Sequence, residues 1–342
     1  MKAIIIGNIG TPKSANPEDV KNYLKTFLMD KNILTIPWLI RYPLVNWIIA
    51  PRRAVQSAQK YQSIWTERGS PLLFHSLDLV NDMAQDLPKD IIVKLAMSYS
   101  EPTLSQVFEE LSQKKITEIL LVPMYPQFAQ ATTGSIREVA NELNKKYNFR
   151  IQELKPFYQE DFFIDSFVEI IREQAKDFDH LLFSYHGLPE SQMKKVSPTC
   201  LRSPDCCLQA NSCEKNCYRA QSLKTTELIA KKLQLKPEQY SSSFQSRLGP
   251  VQWIKPYTDD TIVALGKKGI RKLAVVCPSF VTDCIETLEE IGIEGKHLFK
   301  ENGGTEFTLL TCLNSRADWR KKFSTHLLGQ CGEDKSMQRE LN

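Results

Sequence analysis

The chain has 342 residues, of which 42% are hydrophobic and 25% charged, with a formal net charge of +4 and nine cysteines. This length suits about two domains whose core needs no covalent staples, and so small and dispersed a positive charge excludes a nucleic-acid groove. The apolar run at the amino terminus stops at Gly7, too short for a signal peptide, which predicts a cytoplasmic protein. There, clustered cysteines are read as metal-binding or redox groups rather than as a disulfide framework.

Short aliphatic runs alternate with stretches of helical spacing, the pattern of α/β units on a parallel sheet. The first strand is Ala3 to Asn8. After it, 36–53 (IPWLIRYPLVNWIIAPRR) is the most hydrophobic segment, but Arg41, Pro43 and Asn46 interrupt it. It falls short of the roughly 20 apolar residues of a transmembrane helix. Two tryptophans followed by Arg52 and Arg53 suit a lip that rests in a membrane interface or lines the mouth for a greasy, acid-bearing ligand. The alternative is a buried core helix. Strands follow at Ile91 to Tyr99 and Glu118 to Tyr125. Beyond the latter lie Tyr125, Gln127, Thr132, Thr133 and Ser135, with a Gly134-Ser135 turn that could offer helix N–H groups to an anion.

The fourth strand is Phe149 to Phe157, and the fifth, His180 to Gly187, ends with His186 at a Gly-Leu-Pro turn. Sheets of this kind place reactive groups at the carboxyl ends of strands, although a turn histidine bonded only to backbone would fit equally. The segment CLRSPDCCLQANSCEKNC then brings together Cys200, Cys206, Cys207, Cys213 and Cys217 without any Cys-x-x-Cys pair. A helix from Tyr218 to Leu233 would bury Leu223, Thr226, Ile229 and Leu233. The strand Tyr240 to Ser246 leads to Gln245, Ser246, Arg247, Trp253 and Tyr257, aromatic groups that suit a flat ligand but more often pack a core.

The strand Lys272 to Phe280 leads to TDCIETLEEI. On a helix begun by Asp283, the carboxylates Asp283, Glu286 and Glu290 form one stripe, while Ile285, Leu288 and Ile291 face the core. Asp283 and Glu286 also have the spacing of a capping box. A histidine facing carboxylates across a cleft is a site for a divalent metal or for moving protons. The last strand is Phe307 to Leu313. Because ILLVPMYPQ and LAVVCPSFVTD are alike, the reading is an α/β chain of two similar Rossmann-like domains, each a doubly wound, parallel four-stranded sheet: 1–158, including the lip 36–53, and 159–329, including a cysteine-rich loop 197–217. A polar tail occupies 330–342.

NIGTP (Asn8 to Pro12), YQSIWTERGSPLL (Tyr61 to Leu73), YPQFAQATTGS (Tyr125 to Ser135), SYHGLPE (Ser184 to Glu190), FQSRLGPVQWIKPYT (Phe244 to Thr258) and DCIETLEEI (Asp283 to Ile291) resemble the successive signature segments of the ferrochelatases, in that family's order and over nearly the whole chain. The resemblance implies a chelatase-like fold and insertion of iron(II) into protoporphyrin IX to form protohaem, the last step of haem biosynthesis. It implies His186 and Glu286 as active-site residues that meet the incoming iron, with Asp283 and Glu290 continuing the acidic path. For the porphyrin it implies Arg53 near the propionates, Trp253 in the pocket, and Tyr99, Tyr125 and Ser135 near the cleft. Ser98 and Gln56 stand where some relatives carry arginine and lysine, so propionate contacts at those positions are not carried over.

Some ferrochelatases carry a two-iron, two-sulfur cluster, and Cys200, Cys207, Cys213 and Cys217 are the expected ligands here, Cys206 being the alternative to Cys207 and zinc the alternative to the cluster. Cys277, Cys284 and Cys312 are expected to be packed thiols, and Cys331 falls in the tail. A planar macrocycle carries two N–H protons and hides its lone pairs in the ring plane, so metal enters only if the ring is bent and the protons are removed. The alternatives are a coproporphyrin ferrochelatase, another tetrapyrrole metal chelatase, and a non-catalytic iron-sulfur sensor. The expected partners are porphyrin and iron(II), with peripheral contact at the inner face of the membrane through the lip. Monomer and homodimer both fit.

Overall fold

The computed structural model describes residues 2–196, 200–201, 206–207, 216–247, 249 and 251–332. The first half runs β1 (Lys2–Asn8), α1 (Pro17–Leu28), α2 (Trp38–Pro43), a π-helix π1 (Leu44–Ile49), α3 (Ala50–Ile64), α4 (Pro71–Asp86), β2 (Ile91–Met97), α5 (Leu104–Gln113), β3 (Glu118–Pro123), a second π-helix π2 (Gln130–Gly134), α6 (Ser135–Tyr147) and β4 (Arg150–Glu153). The second half runs α7 (Asp161–Gln174), β5 (His180–His186), α8 (Glu190–Val196), α9 (Tyr218–Lys232), β6 (Tyr240–Gln245), α10 (Thr258–Lys267), β7 (Lys272–Val276), a third π-helix π3 (Glu286–Gly295), α11 (Lys296–Glu301), β8 (Glu306–Leu309) and α12 (Ala317–Gly332).

Each half holds one four-stranded parallel sheet, in the orders β2-β1-β3-β4 and β6-β5-β7-β8. Helices cover both faces, which is why Ile4, Ile5 and Ile6 are all buried instead of alternating with polar residues. The two orders are the same pattern, so β3 corresponds to β7. Each of these strands is followed by a π-helix, π2 and π3, which extends the internal likeness beyond the strand and its Pro-containing turn. Tyr99, Tyr125 and Phe280 lie past the ends of β2, β3 and β7, because the chain leaves the sheet before its apolar run is over.

One hydrophobic cluster joins the two sheets. The 157–163 segment, α7 and α12 meet in it as packed aromatics, with Phe157 against Phe163 (5.4 Å between ring centroids) and Trp319 against Phe323 (4.5 Å). At the same junction Arg320 of α12 donates to Asp82 (2.7 Å) and Asp86 (2.6 Å) of α4. α12 extends to Gly332, so Gln330, Cys331 and Gly332 of the expected tail are helical, and the rest of that tail lies outside the described residues.

The buried face of α9 departs from the expected stripe. Gln221, Ser222, Thr225, Thr226 and Ile229 are buried, while Leu223 is only partly so. The reason is a polar seam between the halves, in which the Phe128 N–H donates to Gln221 Oε1 (2.6 Å) and Gln127 Nε2 to Thr225 Oγ1 (3.1 Å). Buried polar groups need partners, and Gln221 Oε1, Gln127 Nε2 and Thr225 Oγ1 find them across the seam, while Gln127 Oε1 has none among the described residues.

The lip is not a core helix. Trp38, Leu39, Ile40, Trp47 and Ile48 are exposed, Leu39 at 78% and Trp47 at 71%. Arg41, at 8% exposure, turns inward and donates to the carbonyls of Leu34 (3.1 Å) and Ile36 (3.2 Å), which fixes the segment with its apolar side outward. Among the described residues no helix is long and apolar enough to cross a membrane.

Candidate active site

The end of β5 delivers His186. Its backbone N–H donates to Ser279 Oγ (3.0 Å), beyond β7, and its Nδ1 lies 2.6 Å from the Gly187 carbonyl. A carbonyl only accepts, so Nδ1 holds the proton and Nε2 keeps a free lone pair. The ring stands near Trp253 and Phe280, at 6.4 and 6.2 Å between centroids. Gly187 makes this approach possible, since a Cβ there would lie 2.7 Å from the Gln245 carbonyl and 3.2 Å from Trp253 Cε3.

The expected helix forms but starts past Asp283, and its capping box does not form. The helical turns begin at Glu286, they are π-wound, and their N-cap is Ile285 with no side-chain cap. Asp283 is buried ahead of them, and its carboxylate accepts from Thr287 Oγ1 (3.1 Å), Asn314 Nδ2 (2.7 Å) and the Cys312 N–H (3.2 Å). Three donors make this carboxylate a brace between the start of π3 and the chain beyond β8. Glu286 and Glu290 still share a face, because four residues make nearly one turn of such a helix.

Glu290 is gripped from β6 and the loop after it. It accepts from the Ser246 N–H (2.7 Å), from the Ser246 hydroxyl and from Gln245 Nε2 (3.5 Å), while Gln245 Nε2 also donates to the Glu286 carbonyl (2.7 Å). Burial pushes the Glu290 carboxyl up, against the Ser246 hydroxyl and the neighbouring His186, toward the range in which it can take and release a proton. Glu286 faces the first half. Burial pushes the phenols of Tyr23 and Tyr61 far up, and the Glu286 charge adds to it, while Tyr23 donates to the Gly10 carbonyl (3.0 Å). Ile285 and Leu288 pack on the apolar cluster of α1 and α3 rather than on their own sheet, and only Ile291 of the three enters the second half's core. π3 therefore spans the cleft between the halves.

Of the residues expected to hold the substrate, all but Trp253, which stands beside His186, belong to the first half. Tyr99 donates to Asp30 Oδ2 (2.7 Å), and burial, followed by the Asp30 charge, pushes its phenol far up. Asn32 Nδ2 donates to Ser135 Oγ (3.2 Å), and burial pushes the Tyr125 phenol up against the opposing pull of Ser98. The anion site expected at Gly134-Ser135 is absent as such: π2 runs unbroken into α6 and the Ser135 N–H already donates to the Thr132 carbonyl. Arg53, on α3, is half-buried with no carboxylate partner among the described residues, and burial lowers its pKa from the ordinary guanidinium value.

Of the cysteines, Cys200 and Cys217 are buried, Cys207 Sγ lies 4.0 Å from Cys217 Sγ and 3.6 Å from Cys206 Sγ, and Cys213 is outside the described residues. Among the described residues, no three or more His, Cys, Asp or Glu side chains are grouped to hold a metal. Cys277, Cys284 and Cys312 are buried as expected. Sequence reasoning missed the seam of Gln127 and Gln221, the phenols of Tyr23 and Tyr61, and Lys60, which reaches Glu289 (3.0 Å) and Glu294 (2.7 Å) on π3. Nothing local marks these positions, since each acts across the cleft.

A family profile described as ferrochelatase matches residues 1–326. A ferrochelatase of Bdellovibrio bacteriovorus is 43% identical over 327 residues, covering 94% of this chain and 97% of the relative. One from Legionella pneumophila (strain Philadelphia 1) is 42% identical, covering 94% and 96%. Among solved structures, SirB from Bacillus subtilis with Fe3+ superposes at a TM-score of 0.57 and 11% identity over 97% of this chain and 96% of that one, a likeness of fold. With nearly its whole length matched at this identity, the chain belongs to the ferrochelatase family, the metal chelatases that insert iron into porphyrin.

Proposed function

We propose that the chain inserts iron(II) into protoporphyrin IX in the cleft between the two sheets, with His186 and Glu286 on its chemical side and Arg53, Tyr99, Tyr125, Ser135 and Trp253 holding the macrocycle. The observation that carries this reading is the fixed ring of His186, whose Nδ1 is committed to the Gly187 carbonyl and whose Nε2 lone pair remains available beside Trp253. A flat macrocycle packed against Trp253 brings its inner N–H groups within reach of that lone pair, so neutral His186 accepts a pyrrole proton or meets the metal. Glu290, with its raised pKa, and Glu286 carry protons away or deliver iron along one helix face. Asp283 supports this path as the brace under π3. Packing around the ring periphery supplies the bending that exposes the nitrogen lone pairs.

The cysteine loop suits a two-iron, two-sulfur cluster on Cys200, Cys207, Cys213 and Cys217. Two thiolates on one tetrahedral metal with bonds of about 2.3 Å lie about 3.8 Å apart, and the 4.0 Å between Cys207 and Cys217 fits that spacing. A bound cluster would act here as a redox-active cross-link that ties the loop to the start of α9. The exposed lip suits peripheral contact with the cytoplasmic face of a membrane, its tryptophans at headgroup depth and Arg52 beside them.

The test is an anaerobic assay of purified protein with iron(II) and either protoporphyrin or coproporphyrin, preceded by the protein's own visible spectrum. Haem formation with protoporphyrin, lost in His186→Ala, supports the reading. Equal activity of His186→Ala at saturating substrate would remove its basis, and faster turnover of coproporphyrin would reassign the substrate. Iron-sulfur absorption that vanishes in Cys213→Ser or Cys217→Ser supports the cluster, and a colourless active enzyme turns the loop into a zinc or purely structural element.

A further inference from the structure

The π-helix that carries Glu286 and Glu290 is held from two sides. On the second half, Ser246 and Gln245 grip the Glu290 carboxylate, and Gln245 also fixes the Glu286 carbonyl (2.7 Å). On the first half, Lys60 of α3 reaches across the cleft to Glu289 (3.0 Å) and Glu294 (2.7 Å). The exposures separate the two contacts, since the Glu289 side chain is only 8% exposed and that of Glu294 is 53%. In the first contact the carboxylate is largely desolvated while Lys60 keeps 32% of its side chain exposed; the second is a rim contact screened by solvent. Tyr61, the next residue on α3, belongs to the cluster on which Ile285 and Leu288 rest.

We infer that Lys60 is a positioning residue for iron insertion: its ion pair with Glu289 locks π3 against α3 and sets where Glu286 stands in the cleft. Neither Lys60 nor Glu289 was part of the acidic path, and neither needs to touch substrate to act. A π-helix is the right object for such a lock. Its hydrogen bonds skip one more residue than those of an α-helix, so the wide turn is a marginal conformation maintained by its surroundings. Glu286 lies between the Asp283 brace and the residues that the two grips hold, Glu289 and Glu290. The thiol beside it, Cys284, sits two residues away on the same segment and shifts with it, so it cannot hold Glu286 in place if one grip is released. α3 also begins at the lip and carries Arg53, so Lys60 links the helix expected to sense the porphyrin acids to the helix expected to handle the metal.

This inference rests on the reading of Glu286 given under the proposed function, and the experiment separates the two. Steady-state kinetics with iron(II) and protoporphyrin would be compared for wild type, Lys60→Met, Lys60→Arg, Lys60→Met/Glu289→Leu and Glu286→Gln, each with its thermal midpoint. Displacement of a reacting group by a fraction of an ångström to an ångström costs on the order of tenfold or more in rate, so Lys60→Met is expected to lose about tenfold in kcat with its porphyrin KM unchanged. Lys60→Arg, which keeps the charge, should recover most of kcat. Lys60→Met/Glu289→Leu removes the buried unpaired carboxylate and should recover thermal stability but not kcat. That split is what a merely structural salt bridge would not produce. Wild-type kcat in folded Lys60→Met, or joint recovery of kcat and stability in the double variant, overturns the positioning role. Should Lys60→Met fail to fold, the double variant and Lys60→Arg decide by the same criteria. Wild-type kcat in Glu286→Gln overturns the underlying reading itself, and the inference with it.

Discussion

The two sheets have one topology and different chemistry. β1 and β5 occupy corresponding places, yet β1 ends in Asn8, whose amide is tied to Ser76 (3.3 Å), and β5 ends in His186 with a free ring nitrogen. β3 and β7 each lead into a π-helix, but π2 carries threonines, with Ser135 opening α6 after it, while π3 carries Glu286 and Glu290. The same backbone thus carries a histidine and carboxylates past the strand ends of one half and tyrosines, threonines and Ser135 past those of the other, so what differs is the side chains at the strand ends and not the fold.

The comparison breaks most sharply at His186. Replacing it with alanine should lower kcat at saturating substrates by about 100-fold or more, measured as haem formation in an anaerobic assay, whereas Tyr99→Phe in the other half should move porphyrin KM and leave kcat within about twofold. Equal effects on kcat from both would erase the division. Glu290→Gln should cost about tenfold in kcat and alter the acid side of the pH–rate profile, because it removes a carboxyl that burial pushes up from its ordinary value. Gly187→Ala should destabilise by about 1–3 kcal/mol, the added Cβ meeting a backbone carbonyl it cannot displace. Chemical denaturation would read this loss. Tyr99→Phe should cost about 1 kcal/mol by the same method, since Asp30 loses its phenol donor. The smallest effect on stability, under about 0.5 kcal/mol, is expected for Trp38→Ser with Trp47→Ser. Those changes should instead weaken sedimentation with anionic lipid vesicles.

The strands, their parallel pairing and the likeness of the halves could be read from the sequence because buried parallel strands are continuous aliphatic runs, and no charged residue interrupts AIIIGN or ILLVP. His186 could be read because a polar residue at the end of such a run is conspicuous. What could not be read is whatever depends on contacts that the local pattern does not show. The winding of π3 leaves no periodic mark in ten residues, and the role of Asp283 as a brace requires Asn314, which is remote in sequence. The stripe expected on α9 held at Thr226 and Ile229 but not at Leu223 and Leu233, which are only partly buried. Periodicity favoured Leu223, but the face that is covered is the one whose Gln221 and Thr225 meet Phe128 and Gln127. Arg41 looked like an interruption of an apolar segment and is instead the group that fixes its orientation.

The clasp of Arg320 on Asp82 and Asp86 has a consequence in time. The acidic pair on α4 leaves the ribosome long before its partner, Asp86 and Arg320 being 234 positions apart. At about 5–20 residues per second, the first half waits on the order of ten seconds or more for this contact. The first sheet can form as soon as its strands emerge, but the clasp that ties α12 to α4 closes only when translation of the fold is nearly over.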